Sequence, residues 1–163
     1  LVNGLARASG LGGMAGGQAL DLEAEGRYDA HKMPLTLDEV AIRQLQKMKT
    51  GALLRFAVVA GGILGQVDPA TANTLDRYGQ AIGAAFQIAD DILDVEADTA
   101  TLGKGTGKDA ERGKGTLVGL LGLEAAKTEC DRLVRTALEA LAGFGAEADP
   151  LRLTARFIVS RTH

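Results

Sequence analysis

Residues 82–95 place three aspartates on a helix whose apolar side chains cover more than half its circumference. At about 100° per residue, Gly83, Gln87, Asp90 and Asp94 fall in one stripe. Ile82, Ala85, Phe86, Ala89 and Leu93 form the neighbouring stripe, and Ala84, Ile88, Ile92 and Val95 cover the far side. A surface helix needs an apolar arc of only about 100°. This helix is therefore expected inside the fold, with its acids turned to a cavity.

Carboxylates at i and i+4 repel, and facing a core they need a neutralising cation. Mg²⁺ takes one or two carboxylates, several waters and substrate phosphates. Asp90 and Asp94 have the spacing for that task. The competing reading is a solvated acidic helix end, and the apolar surround argues against it.

The remaining chain fits an all-α protein. Three prolines in 163 residues permit long helices, while 22 glycines suit helices that approach closely through small residues. Strand alternation and internal repeats are lacking. Residues 3–25 read as one helix and 26–37 as a loop. A helix over 38–65 follows, capped by Thr36 or Asp38. Another starts at Thr71 or Asn73 and reaches about 97. Residues 99–115 form a glycine- and lysine-rich loop, 116–144 one or two helices, and Asp149-Pro150 opens the last helix.

Charge and cysteine usage narrow the function classes. With 18 basic against 21 acidic residues, a general nucleic-acid binder is disfavoured. A single cysteine, Cys130, forms no internal disulfide and points to a reducing, cytoplasmic setting. Apolar runs fall short of the roughly 18 residues that would span a bilayer. The chain begins at Leu1 rather than Met and enters a helical pattern at once, so a preceding segment is expected.

Two basic features stand near the acids in sequence. In the helix 38–65, Ile42, Leu45, Ala52, Leu53, Phe56, Ala60 and Ile63 share a face with Lys49 in its middle. A lysine there snorkels, loses its proton or meets an anion, and Thr50 beside it offers a hydroxyl. Alternatively, Lys49 reaches water at a helix break by Gly51. The loop carries Lys104, Lys108, Arg112 and Lys114 among glycines that let backbone N–H groups approach phosphate. Acids for metal beside bases for phosphate are the parts of a metal–diphosphate site. His31 and His163 have no partner pattern, and Cys130 reads as inert. Gln18 and Asp21 either line the cavity or form a polar pair within one helix.

Four motifs in order resemble one family. They are Gly16-Gly17-Gln18-Ala19-Leu20-Asp21, then Lys49-Thr50-Gly51, then Gln87 with Asp90-Asp91 and Asp94, and last Gly103-Lys104 with Gly107, Asp109 and Lys114. Together they resemble the C-terminal half of a trans-isoprenyl diphosphate synthase, in the polyprenyl synthetase family. Leu102-Gly103-Lys104 and Leu120-Leu121-Gly122-Leu123-Glu124 are similar to its bacterial farnesyl diphosphate synthase branch.

The resemblance covers residues 1–163 as the C-terminal part of a single domain. It implies antiparallel helices around a central cavity, usually as a homodimer. It implies that Asp90, Asp91 and Asp94 hold Mg²⁺, with Asp90 foremost. Lys49, Thr50, Gln87 and Lys104 match the catalytic positions that bind the allylic diphosphate, and Lys114 matches a further basic position. The implied reaction joins that substrate to isopentenyl diphosphate. The family's first aspartate-rich motif and its isopentenyl diphosphate-binding segment are not in this chain, and Leu117 stands where the family tends to have Tyr. A terpene cyclase-like enzyme and a non-catalytic helical subunit are the competing readings. The loop 99–115 is expected to order on binding Mg²⁺ and diphosphate, closing the cavity.

Overall fold

A computed structural model of the chain describes residues 1–102 and 115–161, the side chains of 98–102 excepted. Among the described residues, eight α-helices stand in this order: α1 (Val2–Ser9), α2 (Met14–Ala24), α3 (Glu39–Gln46), α4 (Ala52–Leu64), α5 (Pro69–Leu102), α6 (Leu117–Leu121), α7 (Leu123–Ala140) and α8 (Asp149–Ser160). A π-helical turn, Lys47–Gly51, joins α3 to α4, and a 3₁₀ turn, Ala146–Ala148, leads into α8. The expected all-α class is what the described residues form.

The 34-residue α5 is the axis. The π turn and α4 pack along it on one side, α7 on another, and α8 covers α7 and α5. Tyr78, Ala81, Ile82, Ala85, Ile88, Ala89 and Ile92 of α5 are buried with Ile42, Val118, Val134, Leu141 and Ile158 from the helices around them. The expected interior placement of this helix therefore holds. Tyr78 is 1% exposed and its hydroxyl donates to the Leu151 carbonyl at 2.8 Å, fixing α5 to α8. Burial pushes that phenol up to about 12.

Several boundaries differ from the sequence reading, each for a local reason. Residues 3–25 are two helices, because the chain reverses at Gly10–Gly13. Gly13 N donates to Gly10 O at 2.9 Å, and a Cβ on Gly13 would lie 2.0 Å from the Ala8 carbonyl oxygen. Asp38, rather than Thr36, caps α3 by accepting from Ala41 N at 2.8 Å. α5 starts at Pro69, before Thr71. The Asp68 carboxylate accepts from the Ala70 and Thr71 amides at 2.9 and 3.1 Å and from the Thr71 hydroxyl at 2.5 Å. These bonds hold the Asp68 pKa below the usual carboxylate range. Proline at the first helical position forfeits no hydrogen bond. At its other end α5 runs to Leu102, beyond 97, and residues 103–114 of the expected loop lie outside the described residues. Two helices fill most of 116–144, divided at Gly122 with φ +85°.

The glycines of α2 and α5 let helices touch. A Cβ on Gly17 would lie 2.2 Å from Lys49 N, and one on Gly83 would lie 2.9 Å from Gly51 Cα. Gly17→Val is expected to destabilise the fold by about 1–3 kcal/mol, since backbone stands in the way. Gly61→Ala, on exposed helix with nothing within 4 Å, should stabilise it by about 0.5–1 kcal/mol. Urea unfolding of both variants checks the contrast, and equal effects would remove the steric account.

Candidate diphosphate and metal site

The π turn brings Thr50 of the second motif to α5 and Lys49 to α2. Such turns insert one residue into a helix and re-aim the side chains after it. Here Thr50 Oγ1 donates to Gln87 Oε1 at 2.8 Å. Gln87 Nε2 in turn donates to Asp91 Oδ1 at 3.0 Å, and Gln46 Nε2 donates to Asp91 Oδ2 at 2.9 Å. The close pass of Gly83 over Gly51 sets the separation that these bonds span.

Lys49 meets an anion, one of the alternatives open in the sequence. Its Nζ lies 2.5 Å from Asp21 Oδ2 on α2. Asp21 therefore makes a bridge between helices rather than a polar pair within one. The close approach at Gly17, one turn before Asp21, puts α2 within reach of that lysine.

The three aspartates have different surroundings. Asp91 is 8% exposed, and both its oxygens are taken by amides. Burial pushes its carboxyl up to about 6, with the charges of Asp94 and Asp90 adding to the rise against the two amide donors. Asp90 is half-exposed and pairs through Oδ1 with Nη2 of Arg161, just beyond α8. Asp94 is exposed one turn further along α5.

Among the described residues, no three His, Cys, Asp or Glu side chains converge on a metal position. Mg²⁺ can be held by one or two carboxylates, with water and substrate phosphate completing its shell. Asp90, engaged through one oxygen, and Asp94 supply hard oxygen donors of that kind. The amide bonds on Asp91 fit it to position the helix face. Lys104 and Lys114 lie outside the described residues.

Sequence reasoning missed Gln46 and Arg161. Gln46 had a usable signal: it is a polar residue one turn from Ile42 on the buried side of α3. Arg161 had none, being 71 residues from Asp90. A cavity of about 680 Å³ lies on the neighbouring flank of α5, over Ala81, Ala84 and Ile88, with Arg77 and Arg132 at its edge. Lys49, Thr50, Gln87 and the aspartates do not line it. Cys130 is buried with its thiol pushed up to about 11, mainly by desolvation, in keeping with an inert role.

Asp91 gives a pH prediction for the metal-free protein. Its folded pKa stands above its unfolded value, so the folded state holds the extra proton between about pH 4 and 6. This group's contribution is thus greatest below that window and declines as pH rises through about 6. Asp91→Asn should flatten the pH dependence of unfolding free energy between pH 4.5 and 7. An unchanged slope would show that Asp91 titrates normally.

Comparisons with known proteins point to one family. The family model described as polyprenyl synthetase matches residues 6–147. The farnesyl diphosphate synthase of Escherichia coli (strain K12) is 43% identical over 99% of this chain and 52% of its own. A geranylgeranyl diphosphate synthase of Cyanophora paradoxa is 38% identical over 93% of this chain and 48% of its own. A solved FPP/GFPP synthase from Zymomonas mobilis superposes with a TM-score of 0.81 at 42% identity, covering 97% of this chain and 49% of that one. The chain spans about half the length of the curated relatives it matches. No helix among the described residues is long and apolar enough to cross a membrane. With the family model matching most of its length, this chain belongs to the polyprenyl synthetase family.

Proposed function

We propose that this chain serves a prenyltransferase that condenses an allylic diphosphate with isopentenyl diphosphate to give farnesyl or geranylgeranyl diphosphate. The observation that carries the reading is the linked line Thr50–Gln87–Asp91–Gln46, flanked by Lys49 and by Asp90. It presents a hydroxyl and carboxylates along α5, with the Lys49 ammonium paired to Asp21 of α2. Such a face suits a metal-bound diphosphate better than a neutral ligand.

In this reading Asp90 and Asp94 hold Mg²⁺, which supplies charge neutralisation for the leaving diphosphate. Thr50 turns its single hydroxyl proton from Gln87 Oε1 to a diphosphate oxygen when the substrate binds. Lys49, held by Asp21, turns its ammonium toward the same anion. Lys104 and Lys114 add positive charge from their motif. Asp91 keeps Gln87 in place and so fixes the distance from Thr50 to the metal-bearing face. The allylic C–O bond then ionises, the isopentenyl double bond attacks the cation, and the departing diphosphate accepts the released proton. A cytoplasmic homodimer acting without nucleic acid or membrane insertion completes the reading.

The test uses the complete protein with Mg²⁺, an allylic diphosphate and isopentenyl diphosphate. A linear prenyl diphosphate longer by five carbons is expected. Asp90→Ala should lower kcat by about 10²–10³-fold, the usual cost of one electrostatic contributor. Lys49→Ala should chiefly raise KM for the allylic substrate. Unchanged turnover in Asp90→Ala would refute the metal assignment. A cyclic hydrocarbon made without isopentenyl diphosphate would favour a cyclase, and no turnover at all would favour a non-catalytic subunit.

A further inference from the structure

Arg161 is held in an unusual way for a structural arginine. Its side chain is 15% exposed, and Nη2 contacts both Asp90 Oδ1 and the Phe86 carbonyl oxygen, the latter at 3.3 Å. The guanidinium carbon lies 4.2 Å from the centroid of the Phe86 ring. Its Nε is buried without a hydrogen-bond partner. A permanent bridge would satisfy every donor, because a buried donor left unpaired is costly. Here one ionic contact, one weak carbonyl contact and an aromatic face share the cation. The ring and the carbonyl belong to the turn of α5 just before Asp90, so they keep the guanidinium in place independently of that carboxylate.

We propose that Arg161 is an internal counter-cation that pairs with Asp90 and competes with a divalent metal ion for that carboxylate. The inference rests on the reading that Asp90 binds metal. Arg161 is then a positioning residue. Without metal it neutralises Asp90 and limits its repulsion with Asp91 and Asp94 on the same helix. When metal takes the carboxylate, the guanidinium is released from it and stays on Phe86. The pair thus sets how much metal the site requires, since each binding event competes with an ion pair whose guanidinium is mostly buried and whose carboxylate is half-exposed.

The experiment is a titration of the substrate-free complete protein with Mn²⁺, followed by calorimetry and by the electron paramagnetic resonance of free Mn²⁺. Arg161→Gln is expected to bind Mn²⁺ about three- to tenfold more tightly, because the competing cation is gone. A merely structural loss would weaken binding or leave it unchanged, and either result overturns the proposal. Arg161→Lys keeps the charge without the flat stacking face and should fall between wild type and Arg161→Gln; any other order also overturns it. Arg161 follows the last turn of α8, outside the apolar core, so neither variant removes a core side chain. Asp90→Asn separates the two levels. If it abolishes the Mn²⁺ site while Arg161→Gln leaves affinity unchanged, the metal reading stands and the counter-cation fails. If Asp90→Asn leaves Mn²⁺ binding intact, both fail.

Discussion

The buried carboxylate of Asp91 is the constraint around which the site is arranged. A carboxylate taken from water needs its oxygens satisfied, and here one amide from α3 and one from α5 do so. That requirement fixes Gln46 and Gln87 to each other through a single group. It also orients Gln87 so that its carbonyl oxygen is left for Thr50. The polar line is therefore continuous from the second motif to the third. Removing any member would strand a buried donor or acceptor in the next.

Close packing makes that line possible. Hydrogen bonds near 3 Å between side chains as short as threonine and glutamine need helices whose backbones nearly touch. Gly17 against the Lys49 backbone and Gly83 against Gly51 provide such contacts, on either side of the π turn. The glycines cost helix propensity, up to about 1 kcal/mol each. The return is a site held by backbone contact, which is stiffer than one held by long side chains. The π turn contributes by re-aiming Lys49 and Thr50, the former to α2 and the latter to α5.

Three aspartates adjacent in sequence have been given three environments by the fold. Asp91 faces amides, Asp90 faces a guanidinium and Asp94 faces solvent. Their different surroundings explain how a run of like charge is tolerated on one face of a helix that is otherwise core. One charge is tempered by a raised pKa, a second by an ion pair and a third by water.

Much of this was legible in the residues themselves. Helical periodicity, few prolines and an apolar surround around Asp90 and Asp94 determined an all-α chain with an internal acidic helix, because amphipathic patterning is local information. The order and spacing of the four motifs indicated the family for the same reason. The sequence reading erred at Gly10–Gly13, where it ran one helix through a backbone turn, and at Asp68, whose capping role lay one residue before the proline. Tertiary structure alone decided the partners. Lys49 with Asp21 is 28 residues apart, Gln46 with Asp91 is 45, and Arg161 with Asp90 is 71. Pairing at such separations depends on how helices cross and how closely their glycines let them approach. No periodicity along one segment encodes that, so the motifs revealed which residues matter while the packing decided which of them hold each other.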